Sequence, residues 1–186
     1  MSFRSLIRSL LLAAALFGAA PHPAWASDDY LNAIKAVKDS DVDGLRAQIV
    51  RGDDMNHQDE FDKTALIYAA INGNETMIKL LLQGGARPTI HDLDGRVALH
   101  WAVQKDNPDA VAALLDGGAV IDVLDPHGTT PLMMAAANGN LAVLRVLIAH
   151  HAKLDARDYT GRSALDFADG TRQSRAATLL KQAGGS

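Results

Sequence analysis

The chain has 186 residues, with 18 lysines and arginines against 22 aspartates and glutamates and a formal net charge of −4. It therefore has no general attraction for phosphate backbones, and nucleic acid is a poor candidate partner. It has no cysteine, which excludes a thiolate metal site, a cysteine nucleophile, a lipid anchor on cysteine and any disulfide, so packing alone must hold it together in an oxidising compartment.

In chain order, the first segment reads MSFRSLIRSLLLAAALFGAAPHPAWASDDY. Arg4 and Arg8 make a positive start, and no acid precedes Asp28. The apolar run from Leu10 to Ala20 is shorter than the roughly 18 residues that a membrane span needs. Pro21 and Pro23 end any helix, and Ala24-Trp25-Ala26 has the A-x-A form of a cleavage site. This is the order of a secretory signal peptide over residues 1–26, cleaved after Ala26. A mitochondrial transit peptide is the alternative, but those are amphipathic rather than leucine runs. The paired arginines of a folded-export signal are missing, so export of an unfolded chain is expected. Residues 27–186 then form one domain's length. Loss of two bases leaves 16 against 22 acids in that part, a net charge of −6.

Residues 28–58, the first unit of this domain, carry Ala33, Ala36 and Gly52, with charge on the outward side. Four longer-matching units follow. DEFDKTALIYAAINGN, DLDGRVALHWAVQKDN, DPHGTTPLMMAAANGN and DYTGRSALDFADGTRQ begin at Asp59, Asp92, Asp125 and Asp158, each 33 residues after the last. Leu66, Leu99, Leu132 and Leu165 fall in one column, and Ala69, Ala102, Ala135 and Ala168 in another. The second halves agree as well: MIKLLLQGGARP, AVAALLDGGAVI and AVLRVLIAHHAKL. Gly85, Gly118 and Gly184 share a column in which His151 is the exception.

Within a unit, Leu66, Ala69 and Ala70 have the spacing of a helix face, with small residues where a second helix must come close. Ile78 to Leu82 form a second apolar run that stops at Gly84-Gly85. One such helix pair cannot bury its own apolar face, whereas a stack shares a continuous core. The period of 33 with Thr130-Pro131-Leu132-x-x-Ala135 resembles the ankyrin repeat, over nearly all of residues 27–186. The resemblance implies an all-α solenoid of about five helix-turn-helix repeats. Residues 28–58 form its N-terminal cap, 59–91, 92–124 and 125–157 the middle repeats, and 158–186 a polar C-terminal cap.

His100 stands in the histidine column of the family's Thr-Pro-Leu-His pattern, where the other units have Ile67, Met133 and Asp166. The resemblance implies a structural hydrogen-bonding role for it, although the threonine that normally accompanies it is Val97 here. Trp101 aligns with Tyr68, Met134 and Phe167, a bulky stripe best read as packing between repeats. Among His57, His91, His100, His127, His150 and His151 there is no pair four apart and no H-E-x-x-H spacing. His150 and His151 fit a helix end, whose dipole favours cations. Gly161-Arg162-Ser163 lacks the closing glycine of a nucleophile elbow, and Ser163 stands in the threonine column as a helix starter. The strict period of the four aspartates marks them as turn formers. No enzyme, metal or cofactor is expected.

Binding in ankyrin proteins usually uses the turn tips and the exposed side of the first helices. Carried over, the tip positions are Glu60, Phe61 and Lys63; Leu93, Asp94 and Arg96; Pro126, His127 and Thr129; and Tyr159, Thr160 and Arg162. Ile71, Asn72, Gln104, Lys105 and Asn138 add the helix positions. Phe61, Lys63, Asp94, Arg96, Lys105, His127, Thr129, Tyr159 and Arg162 are the chosen candidates. Phe61 and Tyr159 are aromatics where no core demands them, and aromatics are enriched among binding hot spots. Lys63, Arg96 and Arg162 stand in line and suit an acidic partner surface; the alternative is a set of solvated turn residues.

The chain resembles the small signal-peptide-bearing ankyrin proteins of Gram-negative bacteria. The resemblance implies a non-catalytic, periplasmic module that binds another exported protein and supports, stabilises or inhibits it. Support of an oxidative-stress enzyme and blocking of a toxin or wall hydrolase are both open at this point. So are a metal-dependent enzyme assembled from His100, His127 and acids, and a secreted effector.

Overall fold

The computed structural model describes residues 32–184; the signal-peptide reading of residues 1–26 lies outside them. Among the described residues there are ten helices and no strand. They are α1 (Asn32–Lys38), α2 (Val42–Arg51), α3 (Ala65–Asn72), α4 (Glu75–Gln83), α5 (Ala98–Gln104), α6 (Pro108–Asp116), α7 (Pro131–Asn138), α8 (Leu141–Ala149), α9 (Ala164–Gly170) and α10 (Ser174–Gln182). No helix among them is long and apolar enough to cross a membrane.

The helices come in five pairs. Within a pair the two pack on each other; between pairs, α1, α3, α5, α7 and α9 stack in one row and α2, α4, α6, α8 and α10 in a second. The repeated columns are the reason. Ala65, Leu66, Ala69 and Ala70 of α3 are buried, as are their equivalents Ala98, Leu99, Ala102 and Val103 in α5. Alanine on the shared face lets helix axes approach closely, and each leucine fills the space between rows. Met77, Ile78 and Leu81 in α4, and Val143, Leu144 and Leu147 in α8, close the core from the other side.

Helix ends are set by side chains as expected. Thr64, Thr130 and Ser163 precede α3, α7 and α9, and each hydroxyl accepts the N–H three residues on. Asp166 reaches back to the Ser163 N–H at 2.8 Å, completing a reciprocal cap. Of the second helices, α2 is capped by Asp41, which accepts from Gly44, α4 by Asn74, which accepts from Met77, and α6 by Asn107, which accepts from Ala110; α8 and α10 have no side-chain cap. Past each second helix the chain takes a left-handed residue, at Gly52, Gly85, Gly118, His151 and Gly184. His151, with φ of 65°, therefore adopts the backbone of the glycines in its column, a conformation that side chains with a β-carbon occupy at a cost of roughly 1–2 kcal/mol.

Candidate protein-binding face

The turn that opens each repeat is built around its aspartate. Oδ1 of Asp59 accepts the N–H groups of Phe61 at 2.9 Å and Lys63 at 3.0 Å. Asp92 does the same for Asp94 and Arg96, Asp125 for His127 and Thr129, and Asp158 for Thr160 and Arg162. A short acceptor side chain satisfying its own backbone two and four residues on locks the tip. The aspartates are turn formers, as their period indicates.

The second carboxylate oxygen ties the tip to the helix behind it. The Tyr68 hydroxyl donates to Asp59 Oδ2 at 2.6 Å, and the Trp101 indole N–H donates to Asp92 Oδ2 at 2.8 Å. Tyr68 and Trp101 thus pack on the core and also tether their own turns. Cations add to the same oxygens. Lys38 lies 3.8 Å from Asp59, Lys63 lies 3.5 Å from Asp92 and 4.8 Å from the Trp101 ring centre, and Arg162 makes two hydrogen bonds to Asp158, at 3.0 and 2.8 Å. Burial works against the charge on Asp59, but the Tyr68 hydroxyl and the two tip N–H groups outweigh it and hold the carboxyl below its ordinary range. At Asp158 burial is likewise outweighed by the N–H groups and side chains of Arg162 and Thr160.

These contacts give the candidate residues their places. Phe61, Leu93 and Tyr159 are 52%, 65% and 72% exposed. The Tyr159 ring lies over the next tip inward, where a β-carbon added to Gly128 would come within 2.7 Å of it, and Pro126 covers Gly95 in the same way. Asp94, His127, Asn72, Gln104, Lys105 and Asn138 are exposed, while Ile71 and Thr129 are half-buried. The three bases in line each have a neighbour within the chain. The Lys63 side chain is only 17% exposed, beside Asp92; Arg96 donates to Gln104 at 3.0 Å; Arg162 grips Asp158. One residue missed at the sequence level belongs with this face: Leu124, exposed just before Asp125. Its signal is an apolar residue in a column otherwise filled by Gln58, His91 and Arg157.

His100 is fully buried. Val97 has no hydroxyl to cap α5, but the pairing expected to be lost is replaced: His100 Nδ1 accepts the Val97 N–H at 3.3 Å. Its Nε2 has no hydrogen-bond partner. Burial lowers the ring's pKa and outweighs the Asp125 carboxylate and the Val123 carbonyl, which favour a proton there. The histidine is a neutral core residue, whereas His127 is exposed. Among the described residues no group of three or more histidines and acids converges as a metal site.

A family model for ankyrin repeats in three copies matches residues 33–125, and one for ankyrin repeats in many copies matches residues 114–168. The chain belongs to the ankyrin repeat family. Ankyrin repeats are protein-interaction modules and are generally non-catalytic, and the aspartate-locked tips with the exposed sides of α3, α5, α7 and α9 are what this one presents. No curated protein matches the chain.

Proposed function

We propose that the protein is an exported, periplasmic binding module that engages another exported protein through its tips and first helices, and supports, stabilises or inhibits that protein without catalysis of its own. One observation carries the binding surface: Phe61, Leu93 and Tyr159, large apolar side chains, stay exposed on tips whose backbone is already fixed by aspartates. Exposed side chains held on a rigid frame lose little entropy on binding. Asp94, Lys105 and His127 supply a polar rim beside them, while Lys63, Arg96, Thr129 and Arg162 line the face and brace it. The export part of the reading is supported by the charged, apolar and A-x-A order of residues 1–26.

The test is a pull-down from periplasmic extract with the purified protein and its Phe61→Ala/Leu93→Ala/Tyr159→Ala variant. Lys63 and Arg162 are left intact, because their loss would strip Asp92 and Asp158 of a cation and confuse folding with binding. A partner retained by the parent and lost by a variant of equal thermal stability supports the reading. Equal retention by both moves the surface elsewhere. Cell fractionation with N-terminal sequencing tests export: a periplasmic chain starting at Ser27 agrees with it, and a cytoplasmic chain starting at Met1 refutes it.

A further inference from the structure

Four equivalent turns carry four equivalent aspartates, and three of these have a cation from within the chain. Lys38 serves Asp59, Lys63 serves Asp92 and Arg162 serves Asp158. Asp125 has none. Its Oδ1 accepts the tip N–H groups of His127 and Thr129, but no side chain donates to its Oδ2. Each possible donor has been replaced or turned aside. Thr129 stands where Arg162 grips its own aspartate, and Met134 stands where Tyr68 and Trp101 donate. Arg96 stands where Lys63 reaches the following aspartate, yet its guanidinium is on Gln104 and faces the Trp101 ring. His100, whose buried ring feels the Asp125 carboxylate, is held neutral by burial.

Asp125 is only 5% exposed, yet its Oδ2 is not one of the buried polar atoms that lack a partner, so this oxygen keeps contact with water and is within reach of an incoming charge. Beside the polar His127 and Thr129 of its own tip, its rim is apolar. Leu124 and Pro126 flank it in sequence and are exposed, and Tyr159 leans onto Gly128 of the same turn. Such a setting suits a side chain with a long apolar stem and a cationic end, as lysine and arginine have.

We propose that the turn of Asp125 is the receptor for one lysine or arginine of the partner protein, presented between apolar residues. The inference rests on the protein-binding reading above and names the chemistry of its partner. The incoming cation completes at Asp125 the pair that Lys38, Lys63 and Arg162 complete elsewhere, while its neighbours pack on Leu124, Pro126 and Tyr159.

The probe is a random dodecapeptide library displayed on phage and selected on the purified protein. Binding of a selected peptide is then measured by fluorescence polarisation. Two variants keep the fold while removing the receptor. Asp125→Asn retains an Oδ1 acceptor for the tip but no charge, and Thr129→Arg fills the site from within, as Arg162 does four residues after Asp158. Peptides with a lysine or arginine between apolar residues are expected, with affinity at least about tenfold weaker for both variants at unchanged or higher melting temperature. A selection with no cationic consensus, an empty selection included, overturns the proposal. So does undiminished binding by a folded Thr129→Arg protein. If that same binding is lost in Phe61→Ala/Leu93→Ala/Tyr159→Ala, the interaction face stands and only its cation receptor falls.

Discussion

Val97 shows how one side chain departs from the frame around it. At Thr64, Thr130 and Ser163 a hydroxyl accepts the N–H three residues on, whereas Val97 has none to offer and His100 holds only the backbone N–H of Val97 itself. Thr has nearly the shape of Val and would supply the missing acceptor. Val97→Thr is therefore expected to stabilise the protein by about 1 kcal/mol, the usual worth of such a cap, read from urea unfolding midpoints. His100 beside it makes stability depend on pH. Its folded pKa lies below the ordinary 6.5 because it is buried. The contribution is thus complete above about pH 6.5 and is lost as pH falls from there toward the folded value, where the unfolded chain binds the proton and the folded one does not. Between pH 7.5 and 5.5 the parent should lose stability faster than His100→Gln, by up to about 1.4 kcal/mol per pH unit below 6.5. Parallel curves for the two would show that another group governs the acid limb.

At the level of the element, the unit is a turn locked to its helix. Tyr68 and Asp59 stand nine residues apart and meet across the start of α3 at 2.6 Å. Tyr68→Phe keeps the ring's packing and removes one donor to a carboxylate, and a hydrogen bond to a charged group is worth about 1.5–3 kcal/mol. The unfolding midpoint should fall accordingly, and hydrogen exchange should quicken first at the N–H groups of Phe61 and Lys63. The repeat itself was legible in the sequence, because leucine, alanine, threonine and aspartate recur in fixed columns and each has one job there. The tethers were not. Asp92 takes its indole donor from nine residues later and its cation from Lys63 in the preceding repeat, so a column read alone makes Lys63 look like a solvated base. The same limit hid Asn140, whose amide crosses to the Val103 carbonyl at 2.8 Å, and Asn56, which accepts the Arg87 N–H of the next repeat at 2.7 Å. The exposure of Phe61 and Tyr159 was legible, since nothing in the period asks for an aromatic there. That of Leu124 was written in the sequence as an apolar residue in a polar column.

Across the described residues, the five helix pairs pack chiefly on their neighbours, so stability accumulates from repeat to repeat and the two rows of helices present separate surfaces. The row of second helices is exposed mostly through charged and polar groups such as Arg46, Glu75, Lys79 and Gln83, with Val50 of α2, 87% exposed, as its apolar exception. The other surface carries the exposed apolar tips on locked turns. The proposed function requires binding through the second of these surfaces and not the first. It is tested most directly by photo-crosslinking in producing cells, with p-benzoylphenylalanine placed at Tyr159 in one strain and at Lys79 in another. A discrete crosslinked partner from position 159 and none from position 79 is the predicted result. A partner captured from position 79 alone would put recognition on the second helices and overturn the tip-borne binding face.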